Sequence, residues 1–236
     1  MGYRLRARVL LGLVALGALA TVALSPTVAG AAGSRAKELV GTFKLAAGSC
    51  TGTTPTGTYF RMIFPGGTIA AGKFFDNADS TCTDTSYTLA SPGTAGGLIN
   101  GKYQPDPTPA FSASGGALAS SIVKPQNFTA INFGIATNPT DPQTGLAVPA
   151  PVIKDKNGKL SGQVEAWSAD WNNLHFNQGS PKPDGTTPGL TLPVSGTYNA
   201  KTHAFVLTWA SAVVGGPFNG FTGYWHLQGT FKPAKS

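Results

Sequence analysis

Charge is what this sequence has least of. Only 11% of its 236 residues are Asp, Glu, Lys or Arg, against roughly 25% in an ordinary soluble domain. The basic residues are scattered and form no stripe. That excludes the clustered Lys/Arg footprint of a nucleic-acid-binding surface. Histidine is scarcer still, with His175, His203 and His226 the whole complement. None has a second histidine at ligand spacing, so no metal is expected. No Gly-x-Ser-x-Gly elbow precedes a helical pattern, so a serine-hydrolase nucleophile has no recognisable setting.

Cysteine occurs twice, at Cys50 and Cys82, and no histidine lies near either. An even pair in an oxidising compartment forms a structural disulfide. This one would close a loop of about 33 residues, worth roughly 3–4 kcal/mol on the chain-entropy account. Helical periodicity is also missing. After the N-terminal segment, no run of 12 residues repeats apolar side chains at i, i+3, i+4 and i+7.

What the sequence does have begins with a tripartite N-terminus. Arg4, Arg6 and Arg8 precede an uncharged apolar run from Val9 to Leu24, followed by the small residues Ala29-Gly30-Ala31-Ala32. This is the order of a secretory signal, with a cut expected after Ala31. The run falls short of the roughly 20 residues that span a bilayer, so no stable membrane anchor is expected in the mature chain. Leu192-Pro193-Val194-Ser195-Gly196 resembles a cell-wall sorting signal only until strand-like sequence follows it, and it reads as the start of a strand. Loss of the three arginines leaves fourteen basic against ten acidic residues, a net charge of +4. The expectation is a secreted, extracellular chain with residues 32–236 as one domain, or two sub-lobes split near residues 138–151.

The remainder is rich in Gly (31) and Pro (18), and 41% apolar with 13 Phe. Such a chain can bury a core while turning often. The fold class expected is all-β: an antiparallel sandwich or barrel-like domain with Gly/Pro-rich loops, behind a cleaved signal helix. Alternation places Phe60, Met62 and Phe64 on one face of a strand that turns at Pro65-Gly66-Gly67. Val152 to Trp167 reads as a hairpin about Asn157-Gly158. A second hairpin turns at residues 199–202. Its return strand puts Phe205, Leu207 and Trp209 on one face, and the last strand does the same with Trp225, Leu227 and Phe231. Gln104 to Pro109 reads as a stiff linker, residues 138–151 as a long surface loop, and Asn127 to Ala136 as one strand. His203 and His226 are expected at the solvent.

Catalytic material is thin. Glu165 and Asp170 flank Trp167 and Trp171, the one attractive setting for an acid pair. Their unlike parity would put them on opposite faces of a single strand. Asp155-Lys156-Asn157-Gly158 starts like a calcium loop but lacks the closing ligands. Binding is the better reading. Trp167 and Trp171 share parity, about 13 Å apart on one strand face, with Asn172 and Asn173 beside them to bond hydroxyls. Phe218 and Phe221 in a glycine-rich loop form a second candidate surface. The function expected is a non-catalytic module that binds a glycan or an apolar small molecule at or near the cell envelope, without a cofactor. The alternatives are a self-associating structural protein, with these tryptophans in its core, and an extracellular hydrolase built on Glu165, Asp170 or His175.

Overall fold

The computed structural model describes residues 35–235. The expected export signal and its cut after Ala31 lie outside them. The described residues belong to one compact unit. Among the described residues every regular element is a strand, as the missing helical periodicity implies.

The first half carries β1 (Lys37–Glu38), β2 (Gly41–Leu45), β3 (Ser49–Thr51), β4 (Thr54–Thr56), β5 (Tyr59–Thr68), β6 (Gly72–Phe74), β7 (Thr88–Leu89) and β8 (Gly97–Ile99). The second carries β9 (Gln126–Phe128), β10 (Ile131–Thr137), β11 (Val152–Lys156), β12 (Lys159–Gln163), β13 (Trp167–Trp171), β14 (Leu174–Asn177), β15 (Leu192–Tyr198), β16 (Ala204–Ala212) and β17 (Thr222–Pro233). All pairings are antiparallel. An 11-stranded sheet runs β1-β11-β12-β15-β16-β17-β2-β8, with β5 also on β17 and β6 and β7 on β5. The 12-residue β17 makes this possible, because Thr222–His226 pair with β5 while Gly229–Pro233 pair with β2.

The large sheet curls into a half-barrel whose two ends are joined by the backbone bond from Gly101 N–H to the Pro151 carbonyl (2.7 Å) and by one side chain. Asn100, just past β8, donates to the carbonyls of Leu39 (2.9 Å) and Ile153 (3.2 Å) and accepts from the Ile153 amide (2.8 Å). Against the hollow of this sheet lies a 4-stranded sheet, β14-β13-β10-β9. The pair gives a sandwich-like fold with one aromatic core between the layers. Phe205, Leu207, Trp209, Trp225, Leu227 and Phe231 are all buried, as alternation requires. Trp167 packs edge-on against Trp209 (5.0 Å) and Trp225 (5.4 Å) from the opposite layer. Cys50 and Cys82 form the expected disulfide.

The hairpin at Asn157-Gly158 forms with both residues at positive φ (56° and 82°), but its second strand stops at Gln163 rather than Trp167. Strand β5 runs past Pro65-Gly66-Gly67 to Thr68 after a register break beyond Ile63. The break buries Ile63 and leaves Phe64 41% exposed. Residues 127–136 are a tight hairpin, not one strand, because Thr129 and Ala130 turn the chain at φ 52° and 65°. Residues 138–151 are no plain surface loop. Asp141 and Val148 are buried, and Thr140 bridges to Ala147. His226 is not solvated either: its ring stacks on Tyr59 at 4.4 Å, and burial lowers its pKa.

Candidate functional site

Strand β13 divides the candidate residues between its two faces. Odd positions point into the sandwich. Trp167 is 1% exposed and belongs wholly to the core. Ala169 and half-buried Trp171 face a cavity of about 40 Å³. Phe60, Met62, Phe128, Phe133, Phe176 and Phe218 surround it, with Gln178, Val213 and Trp225 completing the lining. The polar atoms here are already engaged. Trp171 Nε1 donates to the Phe128 carbonyl (2.7 Å), and Trp225 Nε1 donates to Gln178 Oε1 (3.3 Å). The remaining surface offers a guest only apolar contact.

Residues 213–221, which join β16 to β17, border the cavity through Val213 and Phe218. The base of this loop is pinned by Val213 N–H to the Phe221 carbonyl (2.7 Å) and Gly220 N–H to the Val213 carbonyl (2.9 Å). Gly215, Gly216 and Gly220 all have positive φ, which other residues adopt only at a cost. Phe218 hangs inward from it, 5.3 Å from the Trp171 ring and 5.7 Å from that of Phe128. Phe221 packs outward on Phe64 (4.8 Å), and Phe75 bridges Phe64 to Phe128. Contacting rings thus run unbroken from exposed Phe64 to the cavity wall. Of the residues singled out by sequence, the fold brings Trp171, Phe218 and Phe221 together here.

Asn172 and Asn173 do something else. Both have positive φ (52° and 58°) and form the two-residue turn between β13 and β14. They are exposed and lean on Gly115 of the loop beyond.

Even positions of β13 point away from the cavity, under the segment 104–121. The register of the tight hairpin sets Asp170 opposite His175. His175 Nδ1 lies 2.6 Å from Asp170 Oδ1 and 3.5 Å from Asp106 Oδ2. Ser168 Oγ donates to Asp170 Oδ1 (3.0 Å), and Asn138 Nδ2 to Asp106 Oδ2 (2.9 Å). Asp170 is fully buried. No donor group reaches its Oδ2, nor Asp106 Oδ1. Burial and the adjacent Asp170 push the Asp106 carboxyl up to about 7. The bond to Asp170 raises His175. Glu165 sits before β13 and takes no part; the acid beside Asp170 is Asp106.

Sequence reasoning passed over Asp106 because it lies among prolines in an apparent linker. The Asp170–His175 pairing did have a signal. Asn-Asn between two alternating runs marks a two-residue hairpin, which places i and i+5 side by side on one face.

No family model matches the chain, and no curated protein or solved structure is significantly similar to it.

Proposed function

We propose that this is an extracellular binding module for a small apolar molecule bearing a single acyl chain, held between the two sheets with the 213–221 loop as its gate. The observation that carries this reading is the unbroken path of aromatic rings from exposed Phe64 to the cavity beside Trp171. An apolar guest over 40 Å³ has no room while Phe218 points inward. Occupancy therefore requires Phe218 to swing out, and the glycines on both sides of it supply the freedom to do so. The lining favours an apolar guest over a glycan, since it offers no free hydrogen-bonding group to a hydroxyl. The disulfide fits an oxidising compartment. No helix among the described residues is long and apolar enough to cross a membrane. Both are compatible with secretion.

The test is competitive displacement of a fluorescent fatty-acid analogue from the purified chain by unlabelled fatty acids, in wild type and in Phe218→Ala. Removing the plug should tighten binding about tenfold, by abolishing the cost of displacing a packed ring. An analogue that binds neither protein, or is displaced by oligosaccharides instead, contradicts the reading.

A further inference from the structure

On the other face of β13, the geometry points to a mononuclear site for a divalent cation of the zinc class, held by Asp106, Asp170 and His175. One ligand atom from each residue lies within 4.8 Å of the others. Two carboxylates are held out of water here, and among the described residues neither forms an ion pair with a lysine or arginine. Among these residues His175 is the one cationic partner they share, and a single imidazolium leaves one of two buried carboxylates uncompensated, which is costly unless it neutralises or coordinates a metal. Asp170 makes the case specific. It is wholly enclosed, yet its Oδ2 meets no donor, and neither does the neighbouring Asp106 Oδ1. The two carboxyls face one another, and only a shared proton or a cation can satisfy both.

The spacing suits a small cation. Tetrahedral bonds of about 2.0–2.2 Å put ligand atoms roughly 3.3 Å apart. Asp106 Oδ2 and His175 Nδ1 already stand at 3.5 Å, and the 2.6 Å contact of Nδ1 with Asp170 Oδ1 has to widen by less than an ångström. Imidazole selects zinc-class ions over calcium or magnesium. Outer partners are in place: Asn138 holds Asp106 through two hydrogen bonds, and Ser168 orients Asp170. Asp106 stands between Pro105 and Pro107, whose rings fix the local backbone. The His175 side chain is 34% exposed, which leaves a way in from solvent and room for water as a fourth ligand. Coordination through Nδ1 takes a neutral imidazole with its proton on Nε2, so the second proton of the His175 imidazolium, and any proton held between the two carboxylates, leave to buffer as the cation binds.

Isothermal titration of Zn²⁺ into the metal-stripped, untagged chain tests this. We expect one ion per chain at micromolar Kd or tighter, with at least one proton released per ion when two buffers are compared. Asp106→Asn keeps the shape and removes one charged ligand. It should weaken binding more than the 10–100-fold typical of outer partners, as should His175→Gln, while His203→Ala should leave binding unchanged. Absence of Zn²⁺ binding to the wild type would show that the carboxylates share only a proton. Equal affinity in folded Asp106→Asn or His175→Gln would place the ion elsewhere. Either result overturns the assignment.

Discussion

Asn100 and Ile153 exchange two hydrogen bonds across the seam of the half-barrel, side-chain amide to backbone in both directions. No strand ladder joins these ends, and the 4%-exposed Asn100 side chain shares the closure with one backbone bond, Gly101 N–H to the Pro151 carbonyl (2.7 Å). Asn100→Ala leaves the amide of Ile153 and the carbonyl of Leu39 without this partner, while the Ile153 carbonyl keeps the Leu39 amide (3.1 Å). Unsatisfied buried groups cost about 1–3 kcal/mol each, so a loss of roughly 3 kcal/mol is expected in urea denaturation. A loss below about 0.5 kcal/mol would mean that packing and the Gly101–Pro151 backbone bond hold the seam without Asn100.

The Cys50–Cys82 bridge spans a sequence separation of 32 and ties the β3–β4 hairpin to the loop before β7. Its replacement by a pair of serines should cost about 3–4 kcal/mol. Reductant should lower the unfolding midpoint of the wild type and leave that of the double variant unmoved. Equal midpoints for the two proteins without reductant would contradict this.

Thr129 and Ala130 turn the β9–β10 hairpin at φ 52° and 65°, a conformation that suits Asn and Gly. Asn77 Oδ1 and Asp79 Oδ2 hold the strained amides at 3.2 and 2.6 Å. Ala130→Gly should relieve about 1 kcal/mol and raise Tm by roughly 2–4 °C. A lowered Tm would show that the lost side chain matters more than the strain.

Lys182 is 5% exposed, and burial lowers its pKa from 10.5 to about 8, against the partial opposition of Asp141 and Asp184. Its ammonium donates to the Asn177 carbonyl (2.8 Å) and Oδ1 (3.1 Å). The folded chain gives up this proton before the unfolded chain does, so stability should rise between pH 8 and 10. The gain is expected to be on the order of 1–3 kcal/mol. Tyr59, pushed up to about 12 by burial, reverses the trend only above the ordinary tyrosine range. Urea denaturation at pH 7.5 and 9.5 should show the rise in wild type and not in Lys182→Gln. A rise of equal size in both would assign it to another group.

Period-two alternation made the large sheet legible, because β16 and β17 each bury one face fully and, over most of their length, the other only in part. The same rule placed Trp167 and Trp171 on one face of β13. It could not say that the first would be sealed by Trp209 and Trp225 while the second would border a cavity, since that depends on which layer packs opposite. Turn chemistry was legible at Asn157-Gly158 and not at Thr129-Ala130, where Asn77 and Asp79, some fifty residues away, impose the conformation. Asp106 was hidden for a similar reason. Only the folding of segment 104–121 over the small sheet carries it to Asp170 and His175.

The central claim is that an acyl chain enters beside Trp171. Its most direct test is tryptophan emission during titration with a fatty acid brominated along its chain, since bromine quenches only rings it nearly touches. Saturable quenching is expected in wild type, strongly reduced in Trp171→Phe, with Trp225 as the other contributor. Emission that stays unchanged to the solubility limit, or quenching that persists in full without Trp171, would contradict it.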